Sequence, residues 1–174
     1  MSLLGEEELA AWLGEPADQP RLPPCLAAAE ALVAARLGAP GLGERTVAAS
    51  LPVTRERRVL ELAEGPLTRL DTASLDGRDL PLDELASAPW LIARATPFPC
   101  GGRLALGYRA GWAAEDLPEA LRRAVLLTAG SLWARGADSE AGEARLGDYA
   151  VQHGALRDGL PAPAVALIRP WRRP

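Results

Sequence analysis

The sequence predicts a mainly α-helical fold: a small helical bundle with a short antiparallel β element between the second and third long helices, and an extended C-terminal tail. Three observations predict it. Apolar residues recur at helical spacing towards both ends, they alternate with polar residues in the middle, and prolines and arginines dominate the C-terminus. We therefore divide the 174 residues into a helical domain over 1–150, with a β-rich insertion at about 55–109, and a C-terminal segment over 151–174.

Two helices are predicted in the first forty residues. The first runs over 5–13, where three glutamates occupy the first turn and complement the positive end of the helix dipole. The second starts at Pro23-Pro24, because proline is tolerated in a first turn, and ends at Gly38. Its predicted buried face consists of Leu26, Ala29, Val33 and Leu37.

The middle of the chain has the period of β-strands. Leu60 and Leu62 flank Glu61, and a second alternating run contains Leu104, Leu106 and Tyr108. Residues 88–95 are a further candidate strand. Asp76-Gly77 is typical of a tight hairpin turn, since both residues tolerate positive φ angles.

A long third helix and a short last one are predicted after the strands. Asp116 is placed to cap the long helix, with Glu119 completing a capping-box-like start, and Gly136 is its expected end. Its apolar face comprises Leu117, Leu121, Val125, Thr128 and Leu132. The last helix is expected over 161–168.

Composition narrows the classes of function. A net charge of −4 argues against a uniformly cationic nucleic-acid-binding surface, and all 19 basic residues are arginine. No segment reaches the ~18–20 consecutive apolar residues of a membrane-spanning helix. The cysteines Cys25 and Cys100 are far apart in sequence and are expected to be reduced thiols.

The search for catalytic chemistry finds little. His153 is the single histidine, so it cannot form a multi-histidine metal site, and no cysteine or carboxylate lies at ligand spacing from it. Cys100 precedes two glycines, but a thiol nucleophile needs a base, and only His153 could serve. We therefore predict a protein that is not an enzyme and has no catalytic residues, metal or cofactor.

The C-terminus mixes cations with an aromatic side chain. Arg169, Arg172 and Arg173 surround Trp171, and such a peptide suits contact with phosphates or docking to another protein. The alternative is a frayed, solvated terminus. Prolines in the segment favour docking, because a stiff peptide loses less entropy when it binds.

Four motifs in order carry a resemblance to a known family. The sequence resembles the head-to-tail connector (adaptor) proteins of tailed bacteriophages, a family that includes the adaptors of gene transfer agents. The motifs are Leu106-Gly107-Tyr108-Arg109-Ala110-Gly111-Trp112, Asp116-Leu117-Pro118-Glu119-Ala120-Leu121, Leu146-Gly147-Asp148-Tyr149-Ala150-Val151 and Leu167-Ile168-Arg169-Pro170-Trp171-Arg172-Arg173. Trp112 and Trp171 stand where the family often has tyrosine.

The resemblance implies a structural role at the head–tail junction of a virion, for a protein made in the host cytoplasm. The chain would form a ring, usually a dodecamer, beneath the portal protein. Double-stranded DNA would pass through it without sequence-specific binding, and a stopper or tail-completion protein would dock below. The implied portal-binding residues are Arg169, Pro170, Trp171, Arg172 and Arg173. The implied ring or tail-side interface comprises Asp76, Gly77, Arg78, Gly147, Asp148 and Tyr149.

Two alternatives to the adaptor stay open. One is another connector layer, such as the stopper or a tail-completion protein. The other is a DNA-binding packaging factor that uses the arginine-rich C-terminus, for which steeply salt-dependent DNA affinity is the discriminating property.

Overall fold

The computed structural model describes residues 2–140 and 159–173. The described residues divide between two compact units: a helical unit whose bounds are Met1–Leu37 and Ala114–Arg172, and a β unit whose bounds are Gly38–Ala113 and Arg173–Pro174. The prediction of a mainly α-helical fold is wrong. The chain is a mixed α/β protein in which two antiparallel sheets occupy the middle of the sequence.

The helical unit contains the four helices described, close to the positions that the sequence predicts. They are α1 (Glu6–Leu13), α2 (Leu22–Leu37), α3 (Glu119–Glu140) and α4 (Ala162–Ile168). Gly14 ends α1 in the left-handed conformation, with φ of 72°, and its N–H donates to the carbonyl oxygen of Ala10. The predicted face of α2 is buried at all four positions, Leu26, Ala29, Val33 and Leu37.

Polar contacts tie the helical unit together at its N-terminal end. The Glu30 carboxylate of α2 accepts hydrogen bonds from the Ser2 hydroxyl at 2.6 Å and from the backbone N–H groups of Leu3 and Leu4 at 2.8 and 3.1 Å. Arg122 of α3 donates to a carboxylate oxygen of Glu8 at 2.8 Å. Glu8, in the first turn of α1, therefore joins two helices as well as complementing the helix dipole.

Helix α3 begins later than expected and continues past Gly136, its predicted end, to Glu140. Its first residue is Glu119, and the N–H groups of Leu121 and Arg122 donate to the carbonyl oxygen of Pro118 at 2.9 and 3.0 Å. The predicted cap, Asp116, therefore lies before the helix rather than at its N-cap. Leu121, Val125 and Thr128 are buried as predicted. The Thr128 hydroxyl donates to the Ala124 carbonyl oxygen at 2.7 Å, which satisfies this buried polar group.

The β unit has seven strands within the described residues. They are β1 (Arg45–Pro52), β2 (Arg57–Glu61), β3 (Leu67–Leu75), β4 (Arg78–Asp79), β5 (Leu85–Ala88), β6 (Leu91–Phe98) and β7 (Arg103–Ala110). One sheet has the order β1-β7-β3-β4 and the other the order β2-β6-β5, with antiparallel pairing throughout. A 3₁₀ turn, Leu82–Glu84, joins β4 to β5.

A single apolar cluster within the β unit draws residues from both sheets. Tyr108, Leu106 and Leu104 point inwards from β7, as their alternation predicts, and meet Leu60 of β2 and Ile92 of β6. Further members of this core are Val47, Val53, Leu62, Leu67, Ala73, Leu85, Phe98 and Ala110. The opposite face of β7, with Ala105 and Arg103, is exposed.

The Asp76-Gly77 hairpin is confirmed. These two residues join β3 to β4 with φ angles of 52° and 78°, the left-handed values that a two-residue hairpin turn of this kind requires. The candidate strand over 88–95 coincides with β6 from residue 91 onwards, whereas residue 88 is the last residue of β5, which pairs with β6.

The expectation of an extended C-terminal tail is also wrong. Residues Ala162–Ile168 form α4, which packs on α3, and Arg169–Trp171 continue it as a 3₁₀ turn. None of the described helices combines the length and the apolar character that a bilayer span requires.

Candidate functional site

The C-terminal segment is held to the helical unit by apolar packing along one side of α4. Pro161, in an extended conformation, precedes the helix, and a second proline lies in its first turn, where the missing N–H costs no hydrogen bond. Leu160, Ala164 and Ile168 have at most 1% of their surface exposed. The four-residue spacing of the last two places them on one helix face, so burial fixes the direction in which the following arginines emerge.

Four of the five residues predicted to bind the portal protein lie on the surface. Arg169, Pro170, Arg172 and Arg173 are exposed, whereas Trp171 is half-buried. The N–H of Arg172 donates to the Arg169 carbonyl oxygen at 3.4 Å and closes the 3₁₀ turn. The turn therefore places Arg169 and Arg172 beside a partly exposed indole ring, a combination of side chains that is enriched in protein interfaces.

Arg173 belongs to the β unit. Its guanidinium carbon lies 5.8 Å from the ring centroid of the buried Trp90, within the range of a cation–π contact. The side chain also runs beside Gly38, where a methyl group in place of the glycine hydrogen would touch it. Arg173 thus has a structural contact that the sequence pattern did not predict.

Asp76, Gly77 and Arg78, which are predicted to lie at a ring or tail-side interface, form the β3–β4 hairpin. The Asp76 carboxylate accepts from the N–H of Arg103 at 2.8 Å, and the Asp76 N–H donates to the Arg103 carbonyl oxygen at 2.9 Å. Asp76 and Gly77 therefore shape the turn, while Arg78 is exposed at its end. The other three residues predicted for this interface, Gly147, Asp148 and Tyr149, lie outside the described residues.

The described residues present little catalytic chemistry. Cys100 is exposed on the turn before β7, and its Sγ lies 3.3 Å from the Thr54 carbonyl oxygen. His153, its predicted partner, lies outside the described residues. Among the residues that are described, no three His, Cys, Asp or Glu side chains are grouped to hold a metal ion.

The described surface of each unit includes a shallow depression. The one in the β unit is about 480 Å³ and is lined mainly by alanine, serine and threonine from the outer face of the β1-β7-β3-β4 sheet. The one in the helical unit is about 640 Å³ and is lined by residues near α1 and α2, including Glu6 and Glu7. Neither depression brings together an acid and a base among its lining residues.

Among the residues that the structure describes, the Tyr108 phenol has a pKa that its surroundings shift. Burial raises the pKa of Tyr108 above its ordinary value, and the nearby Glu64 carboxylate raises this pKa further. The phenol donates to the Glu64 carbonyl oxygen at 2.7 Å. This geometry satisfies a buried hydroxyl and gives Tyr108 a role in stability.

Sequence reasoning missed two exposed segments of the β unit. One is the loop and strand start around Arg55, where Val59 is 44% exposed, and the other surrounds the 3₁₀ turn, where Leu82 is 38% exposed. In the sequence, exposure of the first segment is indicated by the charged run Arg55-Glu56-Arg57-Arg58. Exposure of the second is indicated by the three carboxylates within 79–84.

The fold matches chains in solved structures of gene transfer agent (GTA) particles. Similar structures include the neck of an empty GTA particle computed with C6 symmetry (22% identity, TM-score 0.54) and the virion of a native GTA particle (21% identity, TM-score 0.55). In both, the match covers 98% of this chain and 89% of the other. A third, the neck of a native GTA particle computed with C12 symmetry, has 23% identity and a TM-score of 0.51 over 98% and 88%.

No protein-family model matches the sequence, and no curated protein matches it. The similarity to the GTA structures extends over nearly the whole chain, so both units belong to the shared fold.

Proposed function

We propose that this chain is a structural adaptor in the neck of a tailed phage or phage-like particle. It forms a ring beneath the portal protein, links the portal to a stopper or tail-completion protein, and lets double-stranded DNA pass through the opening. The observation that carries the proposal is the common fold with chains of GTA neck and virion structures over 98% of the sequence. The order of the four sequence motifs supports the same family independently.

Ring formation is the first part of the proposal. Similar structures were computed with C6 and C12 symmetry, and cyclic symmetry joins copies through two different complementary surfaces on each subunit. We propose a dodecamer of this chain. Asp76, Gly77 and Arg78, with Gly147, Asp148 and Tyr149, are assigned to its ring or tail-side contacts.

Portal binding is assigned to the turn Arg169–Trp171 with Arg172 and Arg173. Exposed guanidinium groups and an indole are suited to bind an acidic, aromatic-lined groove. Because α4 is anchored by Ala164 and Ile168, the turn is presented in a defined orientation, which lowers the entropy lost on docking. In this proposal the chain has no catalytic role, no cofactor and no membrane contact.

The location can be tested on particles. Mass spectrometry and electron microscopy of purified particles should find the chain at the portal–tail junction, with copies in a fixed ratio to the portal protein. Its absence from mature particles would refute the adaptor role.

Portal binding can be tested with surface substitutions. Arg169→Ala with Arg172→Ala should weaken binding to purified portal protein by roughly tenfold or more, because interface arginines are frequent hot spots. Arg123→Ala with Arg135→Ala, which removes the same charge from exposed positions of α3, is the matched control. Equal binding by both double variants would rule out the C-terminal turn as the docking element.

A further inference from the structure

The β unit has two opposite edges. In the order β1-β7-β3-β4 the outer strands are β1 and β4, and in the order β2-β6-β5 they are β2 and β5. Residues 53–56 join β1 to β2, so these two strands share one edge. The 3₁₀ turn and β5 pack against β3, next to β4, and form the other edge.

The first edge is basic. We define the basic edge as residues 55–59, which contain three arginines and one glutamate, a net charge of +2. Arg55 and Arg58 are exposed, and Val59 beside them has 44% of its surface exposed. β2 pairs only with β6 among the described strands, so its outer backbone groups are unpaired by any other strand there.

The second edge is acidic. We define the acidic edge as residues 79–84, which contain Asp79, Asp83 and Glu84 and no basic residue, a net charge of −3. Glu84 is paired with Arg94, whose Nε lies 3.1 Å from the carboxylate. Leu82, which lies between these acidic residues in sequence, has 38% of its surface exposed. Arg78, just before this segment, reduces the local charge by one without changing its sign.

Apart from Glu84, which pairs with Arg94, the carboxylates of the acidic edge and two arginines of the basic edge have no charged partner within the described part of the chain. The side chains of Arg55, Arg58, Asp79 and Asp83 make no ion pair or hydrogen bond with another described residue. Each edge therefore combines a net charge of one sign with one exposed aliphatic side chain, and the two net charges are opposite.

We propose that the basic edge of one copy binds the acidic edge of the next. Arg55 and Arg58 would face Asp79 and Asp83, and Val59 would pack against Leu82. This inference rests on the proposed ring, for which it names the surfaces that join neighbouring copies. The occupant of each edge is a second copy of this chain, because the complementary surface is found on the chain itself.

The pairing has a direction. Two basic edges or two acidic edges repel one another, so a symmetric pair through one edge is disfavoured. A basic-to-acidic contact instead leaves one free edge of each kind, and repetition with a constant rotation continues until the ring closes. The same charges that promote the correct contact therefore exclude the closed dimer.

A cysteine pair tests the contact. Val59→Cys with Leu82→Cys, in a chain with Cys25→Ser and Cys100→Ser, should give a ladder of disulfide-linked multimers under mild oxidation at high protein concentration. Oxidation traps even short-lived contacts, so a weakly associating chain still reports them. Val59→Cys with Ala105→Cys, which moves the second thiol to the exposed outer face of β7, is the matched control. A ladder no stronger than that of the control overturns the inference.

Charge reversal tests the direction. Arg55→Glu with Arg58→Glu makes both edges acidic, and Asp79→Arg with Asp83→Arg makes both basic. In the cysteine-pair background each variant alone should lose the ladder by roughly tenfold, because like charges then meet. An equimolar mixture should restore the ladder with the two variants alternating. Failure of the mixture to recover would mean that the charges do not join these edges.

The two proposals fail separately. If the chain is present at the portal–tail junction but its edges do not cross-link above the control, the edge pairing is wrong and the adaptor role stands. If the edges cross-link specifically but the chain is absent from particles, the pairing stands and the adaptor role is wrong.

Discussion

Gly111 shows how a motif residue can be required by backbone packing. Its φ angle is 82°, its N–H donates to the Pro66 carbonyl oxygen at 2.9 Å, and a Cβ there would collide with the carbonyl oxygens of Leu42 and Gly43. Both the left-handed conformation and the close approach exclude a side chain. The glycine of the Tyr108–Trp112 motif is therefore explained by the fold of the β unit.

Gly111→Ala should destabilise the protein more than Gly77→Ala. Both glycines have positive φ angles, so alanine at either costs about 1–2 kcal/mol of backbone strain. Gly77 is surrounded by open space, whereas Gly111 abuts backbone that must move. Chemical denaturation of both variants measures the difference. Equal losses of unfolding free energy would show that the backbone around Gly43 can shift at little energetic cost.

Tyr108 links stability to pH at the alkaline end. Because burial raises its pKa, the folded protein keeps the neutral phenol after the unfolded chain has begun to ionise near pH 10. The contribution of Tyr108 is therefore fully present below about pH 10 and is lost as the pH rises through the pKa of the folded state.

Tyr108→Phe should reduce the loss of stability at alkaline pH. The variant should also be less stable at neutral pH by about 1–2 kcal/mol, because the Glu64 carbonyl oxygen loses its phenol donor at 2.7 Å. Urea denaturation of both proteins at pH 7 and pH 10.5 would separate the two effects. If the free energy of unfolding of the variant fell as much between these pH values as that of the unaltered protein, the alkaline loss would belong to other groups.

At the scale of elements, the end of α4 places a residue that stabilises the fold directly beside an exposed residue that is available to a partner. Ile168→Ala should cost about 2–5 kcal/mol of stability, the usual range for truncating a fully buried aliphatic side chain. Arg169→Ala, at the next position but exposed, should change stability by less than about 0.5 kcal/mol. Thermal unfolding measures both. A small effect at Ile168 would mean that α4 is loosely attached.

The helices could be predicted from the sequence, and several strands could not. Apolar spacing, prolines and glycines locate α1 and α2 almost to the residue, because these signals act locally. β1 reads Arg-Thr-Val-Ala-Ala-Ser-Leu-Pro, with alanines that are not typical of strands, and its place is fixed by pairing with β7. That pairing joins residues about sixty positions apart, which local patterns do not encode.

The candidate interfaces were only partly predictable for the same reason. The sequence indicates that Arg169 and Arg172 could bind a partner, since they flank Trp171 in a segment that prolines stiffen. The half-burial of Trp171 and the stacking of Arg173 on Trp90 depend on tertiary contacts. The opposite placement of residues 55–59 and 79–84 follows from the strand order of two sheets, which no sequence motif specifies.

At the scale of the whole molecule, the β unit is expected to fold without the helices. Its core draws on residues 47–110 alone, and it is inserted into the helical unit as one continuous stretch apart from the last two residues. A fragment over 38–113 should show a β-type circular dichroism spectrum and cooperative thermal unfolding. Phe98→Asp in the fragment should abolish both, since it buries a charge in the core. A fragment without cooperative unfolding would show that it needs the rest of the chain.

The chain enters and leaves the β unit through neighbouring backbone. Gly43 and Trp112 form an isolated parallel bridge, in which the Trp112 N–H donates to Leu42 and the Glu44 N–H donates to Trp112, both at 2.9 Å. A mechanical pull between residues 42 and 112 loads these two bonds first. The seven strands lie between these two points in sequence, so they bear no tension until the bridge ruptures. The two hydrogen bonds of the bridge therefore protect the sheets from an applied force.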